Sequence, residues 1–238
     1  MKNPLRGMLI ASLIAAVALS AAACADFPGA ETPSSTPKQE TPDTSDDQQA
    51  AAAWVDEGRM FAILTWGSST CVPLVESATA EGQTLTVDLV NAPEATACSA
   101  DMAPRVSLGV VPGSIDAAKG VELIVREGER EDRFDLVAVS GTAPLGSETA
   151  LVPTAAWLDD GLVVLVTWGS STCVPVVESV EVANGGATVT FSDEDGPCTR
   201  DIVPRATLIA VDGTAAGEEF ELTLVGATLD GSVEVSAR

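Results

Sequence analysis

Thirty-five carboxylates, five cysteines and no histidine or tyrosine set the chemistry open to this chain of 238 residues. A nucleophilic serine needs a base within hydrogen-bond reach. Without His that base would have to be Lys, and beyond Lys2 the chain has only Lys38 and Lys119. The duplicated Gly-Ser-Ser-Thr element does not fit the G-x-S-x-G nucleophile elbow. Every His-bearing zinc site is excluded as well. Carboxylate pairs survive, because glycoside hydrolysis needs only two of them at a set separation. Asp101/Asp201 and Glu76/Glu178 are the acids that recur beside repeated motifs, and most of the others read as solvated groups. Asp193-Glu194-Asp195-Gly196 has the look of a calcium loop, but the corresponding stretch Ala92-Pro93-Glu94-Ala95 lacks that pattern, so it reads as a solvated loop. No catalytic residue, metal or cofactor is expected. Twelve Lys plus Arg give a formal charge of −23, the opposite of the basic footprint that nucleic acid demands.

The informative residues occur twice. TWGSSTCVPLVES at 65–77 and TWGSSTCVPVVES at 167–179 agree at twelve of thirteen positions. Upstream, AAWVDEG ends at Gly58 and AAWLDDG at Gly161. Downstream, Cys98 with Asp101 to Arg105 matches Cys198 with Asp201 to Arg205. The candidate site is therefore Trp66, Gly67, Ser68, Ser69 and Thr70, with Trp168, Gly169, Ser170, Ser171 and Thr172 in the second copy. Two readings stand side by side. In one, the segment is a fixed turn in which Gly67 and Gly169 permit a tight bend, Trp covers a disulfide and the hydroxyls bond loop amides. In the other, it is a rigid polar loop with an aromatic platform for a sugar or peptide. Asp101 with Arg105, and Asp201 with Arg205, are candidate ion pairs, or the acids cap a turn.

These motifs must be carried by β-structure. Thr84-Leu85-Thr86-Val87-Asp88-Leu89 and Ala187-Thr188-Val189-Thr190-Phe191 alternate with period two, and Gly, Pro, Asn and Asp bound such runs. Asn184-Gly185 is a hairpin-turn signal. Residues 98–104 and 198–204 are expected to hold a helical turn. The fold expected is all-β: two tandem small β-sandwich or barrel-like domains of six or seven strands each, at 51–141 and 153–238, joined by a connector at 142–152. A period near 100 residues is too long for a solenoid coil. Domains of about ninety residues bury limited cores, and exported ones add disulfides. Repeat symmetry selects Cys71–Cys98 and Cys173–Cys198 among the three connectivities of four cysteines. The charged run at 126–133 reads as a hairpin tip covered in compensating charge.

Cys24 is left over, and the leader explains it. Lys2 and Arg6 precede an uncharged apolar stretch over 7–23, too short to span a bilayer and ending in small residues, which is a secretory signal. Leu19-Ser20-Ala21-Ala22-Ala23-Cys24 resembles the lipobox of bacterial lipoproteins, although Ala21 stands where that pattern has Leu. The resemblance implies cleavage before Cys24 and its acylation, with anchoring to the outer face of the cell membrane. Cleavage at an A-x-A site, giving a secreted protein, is the alternative. Residues 24–50, rich in Pro, Ser, Thr and Asp, are expected to be a disordered tether. The body resembles lipoproteins of high-GC Gram-positive bacteria that carry a TWGSS-C signature and a later C-x-x-D-x-x-P element, a likeness that bears on fold and location and implies no activity.

The expected function is a non-catalytic envelope module whose partner is a cell-wall polymer, a peptide or another envelope protein. The alternatives are a scaffold without a small ligand and a carboxylate-dependent glycoside hydrolase.

Overall fold

The computed structural model describes residues 49–93, 96–144, 146–183, 185–192 and 196–237. The leader, Cys24, most of the expected tether, Asn184 and the acids at 193–195 lie outside the described residues. The protein is all-β, with fourteen strands among those described. In the first copy they are β1 (Ala51–Val55), β2 (Met60–Gly67), β3 (Leu74–Glu81), β4 (Thr84–Val90), β5 (Ala103–Val110), β6 (Val121–Glu127) and β7 (Arg130–Leu136). The second copy repeats them as β8 (Thr154–Asp159), β9 (Leu162–Gly169), β10 (Val176–Ala183), β11 (Gly186–Ser192), β12 (Val203–Ala210), β13 (Glu221–Val225) and β14 (Gly231–Ser236).

Both copies follow one topology. β1-β2-β5 form a three-stranded sheet and β3-β4-β6-β7 a four-stranded one; β8-β9-β12 and β10-β11-β13-β14 repeat these orders. The pairs β4–β6 and β11–β13 are parallel and the hairpins antiparallel. In the second copy β14 joins its two sheets by pairing in parallel with β8 at Val235–Ala155 and Ser236–Ala156. The alternating strands behave as their period requires. Leu85, Val87 and Leu89 of β4 point into the first core, while Thr84, Thr86 and Asp88 face outward.

The three-stranded sheets are different, and that difference joins the two copies. The run Met60 to Leu64 is apolar throughout because β2 is buried on both faces. Phe61 and Ile63 enter the core between the sheets of the first copy. Ala62 and Leu64 face the other way, into a third cluster shared with Ala156, Leu158, Val164 and Val166 of the second copy. Two-sided burial is what a continuous hydrophobic run, rather than alternation, signals. Gly109 fits the same packing, since a Cβ there would lie 2.1 Å from the Phe61 ring.

The connector is held by the turn after β1. Arg59 donates to Ser147 Oγ (3.2 Å) and to Asp56 Oδ1 (3.1 Å), and Thr149 Oγ1 donates to the same Asp56 oxygen (3.1 Å). The Asp56 amide donates to Thr154 Oγ1 at 3.2 Å, the first residue of β8. Burial pushes the Asp56 carboxyl upward, opposed by Thr149 and Arg59.

The hairpin tip expected at 126–133 forms, and one local expectation is corrected. Gly58 and Gly161 occupy positive φ in the turns that bring back β2 and β9, and the charged tip of β6–β7 is laced by exposed ion pairs such as Arg126–Glu131. The helical turns expected over 98–104 and 198–204 do not form. The chain runs irregularly to Pro104 and Pro204, which lie at the second positions of β5 and β12. Pro disfavours the helical region in the residue before it. Edge strands β3 and β10 likewise begin just after Pro73 and Pro175, and each carries a register shift at Glu76 or Glu178. Prolines and bulges blunt a sheet edge against further pairing. That is the structural content of the repeated Cys-Val-Pro-x-Val-Glu-Ser segment. No described helix is long and apolar enough to cross a membrane.

Candidate functional site

The disulfides form as symmetry requires, Cys71 with Cys98 and Cys173 with Cys198. Each joins the loop after the Trp-bearing strand to the loop before β5 or β12, and so brings together hydroxyls distant in sequence. In the first copy Ser68 Oγ lies 2.8 Å from Ser99 Oγ and 3.2 Å from Thr70 Oγ1. Ser69 and Thr70 reach the same Ser99 oxygen at 3.3 and 3.2 Å. The Ser99 amide donates to Thr70 Oγ1 at 2.9 Å. Asp101 closes the cluster: its Oδ1 accepts from the Ser69 amide (3.1 Å) and from the Ser99 hydroxyl. The second copy repeats the arrangement with Ser170, Ser171, Thr172, Thr199 and Asp201. Ser69, Thr70 and Asp101 are exposed, as are Ser171, Thr172 and Asp201.

Ser99 and Thr199 are central here and were missed in the sequence, although a hydroxyl residue directly after the second Cys in both copies was the signal. The candidate ion pairs are not formed. Asp101 and Asp201 cap the serine loops, the other role open to them, while Arg105 and Arg205 turn inward. Arg105, 8% exposed, donates Nη1 to Cys71 O (2.9 Å) and Nη2 to Trp66 O (3.2 Å), with Glu127 at 3.7 Å. Arg205 makes the equivalent bonds to Cys173 O and Trp168 O. Gly67 and Gly169 are needed for this approach, not for a turn: neither has positive φ. A Cβ at Gly67 would stand 2.7 Å from Arg105 Cζ, and one at Gly169 2.8 Å from Arg205 Cζ.

The two motif tryptophans lie at the ends of β2 and β9, both half-buried. Trp66 Nε1 donates to Gln49 O at 3.2 Å, where the described chain begins. Trp168 packs against the core shared by the two copies, and its Nε1 is buried without an acceptor among the described residues. Trp168 also lines a cavity of ≈ 510 Å³ with both cysteines of its disulfide. Glu76 and Glu178 stand exposed at the edge-strand bulges.

The electrostatics of the clusters follow from their hydrogen bonds. Donation from Ser99, then from Ser69, holds the Asp101 carboxyl at about 2 instead of 3.8. Donation from Ser171, then Thr199, does the same for Asp201. A depressed carboxyl pKa contributes stability that is present above the unfolded value and is lost as pH falls through the folded one. The clusters are thus expected to hold down to pH 3.8 and to come apart between there and about pH 2. Carboxyl-carbon NMR titration checks this: Asp101 and Asp201 should titrate near 2, and Ser99→Ala should return Asp101 toward 3.8. An ordinary titration in the unaltered chain would contradict the geometry.

Chemically, each cluster presents hydroxyls and one ionised carboxylate on a rigid, crosslinked frame. No protein-family model matches the chain, and neither a curated protein nor a solved structure matches it.

Proposed function

We propose that the chain is an exported, lipid-anchored protein of the cell envelope, and that its two tandem β-sandwich-like or barrel-like domains, the second with its two sheets joined by β14 on β8, form a non-catalytic binding module. The leader ending at Cys24 supports export and acylation, and the Pro- and Ser-rich stretch after it supports a tether. More than one acyl chain gives stable anchoring where one is marginal. The observation that carries the binding reading is that the same hydroxyl–carboxylate cluster lies at the surface of both copies. The acidic charge favours cationic or metal-bridged partners and disfavours anionic ones.

A scaffold without a small ligand is the second reading. It is favoured by the mutual hydrogen bonding of the cluster hydroxyls and by the packing of Trp168 into the shared core. Anchoring is tested by Cys24→Ser in the full chain. The unaltered protein should fractionate with membranes and carry labelled acyl chains, and the variant should be released to the medium. An unaltered protein that is itself released unlabelled would contradict the anchor.

A further inference from the structure

Beside the first hydroxyl cluster, where edge strands β3 and β5 meet β12 of the second copy, lies a groove of ≈ 270 Å³. Val72, Leu74, Val106, Leu108, Pro204 and Ala206 line it. Its one hydroxyl, Ser107 Oγ, is committed to Pro73 O at 2.6 Å. Val106, Leu108 and Ala206 continue the shared core outward, while Leu74 at its rim is 68% exposed. Single exposed apolar side chains are ordinary. Here they recur in register: Leu74 and Val176, Val72 and Val174, and Met102 and Ile202 (61% and 63%) are exposed in both copies. Of these, Val72 and Leu74 line the groove, and exposed apolar side chains gathered at a concave surface mark interaction sites.

We infer that this groove docks an extended polypeptide segment that carries apolar side chains interleaved with Lys or Arg. Charge selects this occupant. Exposed Glu76 stands two residues from the lining residue Leu74. Arg105 faces inward onto Cys71 O and Trp66 O. On the second copy's side exposed Arg200 and Asp201 precede the lining residue Pro204 and offset one another, which leaves Glu76 uncompensated by them. A second copy of this chain would bring another −23 against the same surface, and an anionic lipid surface would be repelled likewise. Pro73 and the bulge at Glu76 blunt the β3 edge, so recognition runs through side chains and not through strand addition.

This deepens the binding reading and rests on it. The test uses the purified full chain and two fluorescein-labelled ten-residue peptides, one alternating Val with Lys and one alternating Val with Glu. The Val-Lys peptide should raise anisotropy on binding and the Val-Glu peptide should not. Leu74→Ser, at an exposed position, should weaken binding about tenfold, as expected for one lost apolar contact. Glu76→Gln should weaken it and flatten its salt dependence. Equal binding of both peptides, no binding of either, or indifference to Leu74→Ser would overturn the inference. Leu74-dependent dimerisation, or flotation with anionic vesicles in place of peptide binding, would overturn it in favour of those occupants. If envelope material still perturbs the hydroxyl clusters in the Leu74→Ser chain, the binding reading stands although this inference has failed.

Discussion

Arg105→Met is expected to lower the unfolding free energy by about 3 kcal/mol, because each buried polar group left without its partner costs roughly 1–3 kcal/mol. The guanidinium serves two backbone carbonyls, Cys71 O and Trp66 O, and stands 3.7 Å from Glu127. Methionine fills much of the same space, so the loss reports hydrogen bonding more than a cavity. Lysine should not rescue it, since a single ammonium cannot reproduce the planar fork of diverging donors. Gly67→Ala attacks the same contact from the other side, with its new Cβ 2.7 Å from Arg105 Cζ. Residues in direct contact give non-additive effects, so the double variant should be little worse than Arg105→Met alone. Urea unfolding of the three variants measures this. A loss under about 0.5 kcal/mol for Arg105→Met, the scatter of ordinary surface substitutions, would mean that the buried guanidinium is not holding the loop.

Removing the Cys71–Cys98 crosslink is the second large effect. The pair closes a loop with a sequence separation of 27 residues, for which the chain-entropy model gives roughly 3.5 kcal/mol. Cys71→Ala with Cys98→Ala should lose about that much and also disassemble the polar cluster, because the crosslink holds Thr70 beside Ser99. The Asp101 carboxyl should then titrate back toward 3.8 even where the chain remains folded. The same pair of readouts applies to Cys173–Cys198 and Asp201. Reduction of the unaltered chain should reproduce both changes. A urea midpoint indifferent to reduction would place the stability of the fold entirely in its three hydrophobic clusters.

Much of this was legible in the sequence because it was written twice. Twelve identities in thirteen positions fix the correspondence of the copies, and with it the disulfide pairing that the structure contains. Alternation in Thr84 to Leu89 identifies a strand with one wet face, and the burial follows it. What was hidden is what depends on contacts distant in sequence. Gly67 reads as a turn residue, yet its backbone is ordinary and it is small because Arg105 lies on it. Nothing near Gly67 in sequence announces that arginine. Nearness in sequence suggests an ion pair between Asp101 and Arg105 or a turn cap by Asp101, and the cap is what forms: Asp101 lies in the loop before β5, Arg105 on the strand, and their side chains diverge. The shared core was partly visible, since the unbroken run Met60 to Leu64 is a two-sided strand. Trp66 and Trp168 are identical in motif and different in surroundings, because Gln49 meets one and the shared core takes the other.

We propose the two hydroxyl–carboxylate clusters as the binding surface of a tethered envelope protein. The most direct test is amide NMR of the full chain titrated with solubilised cell envelope containing wall fragments and envelope proteins. The amides of Ser69, Thr70 and Ser99 should shift together with those of Ser171, Thr172 and Thr199, and Asp101→Asn should remove the first set while sparing the second. Shifts absent from both clusters would contradict it and leave the duplicated element as a structural staple.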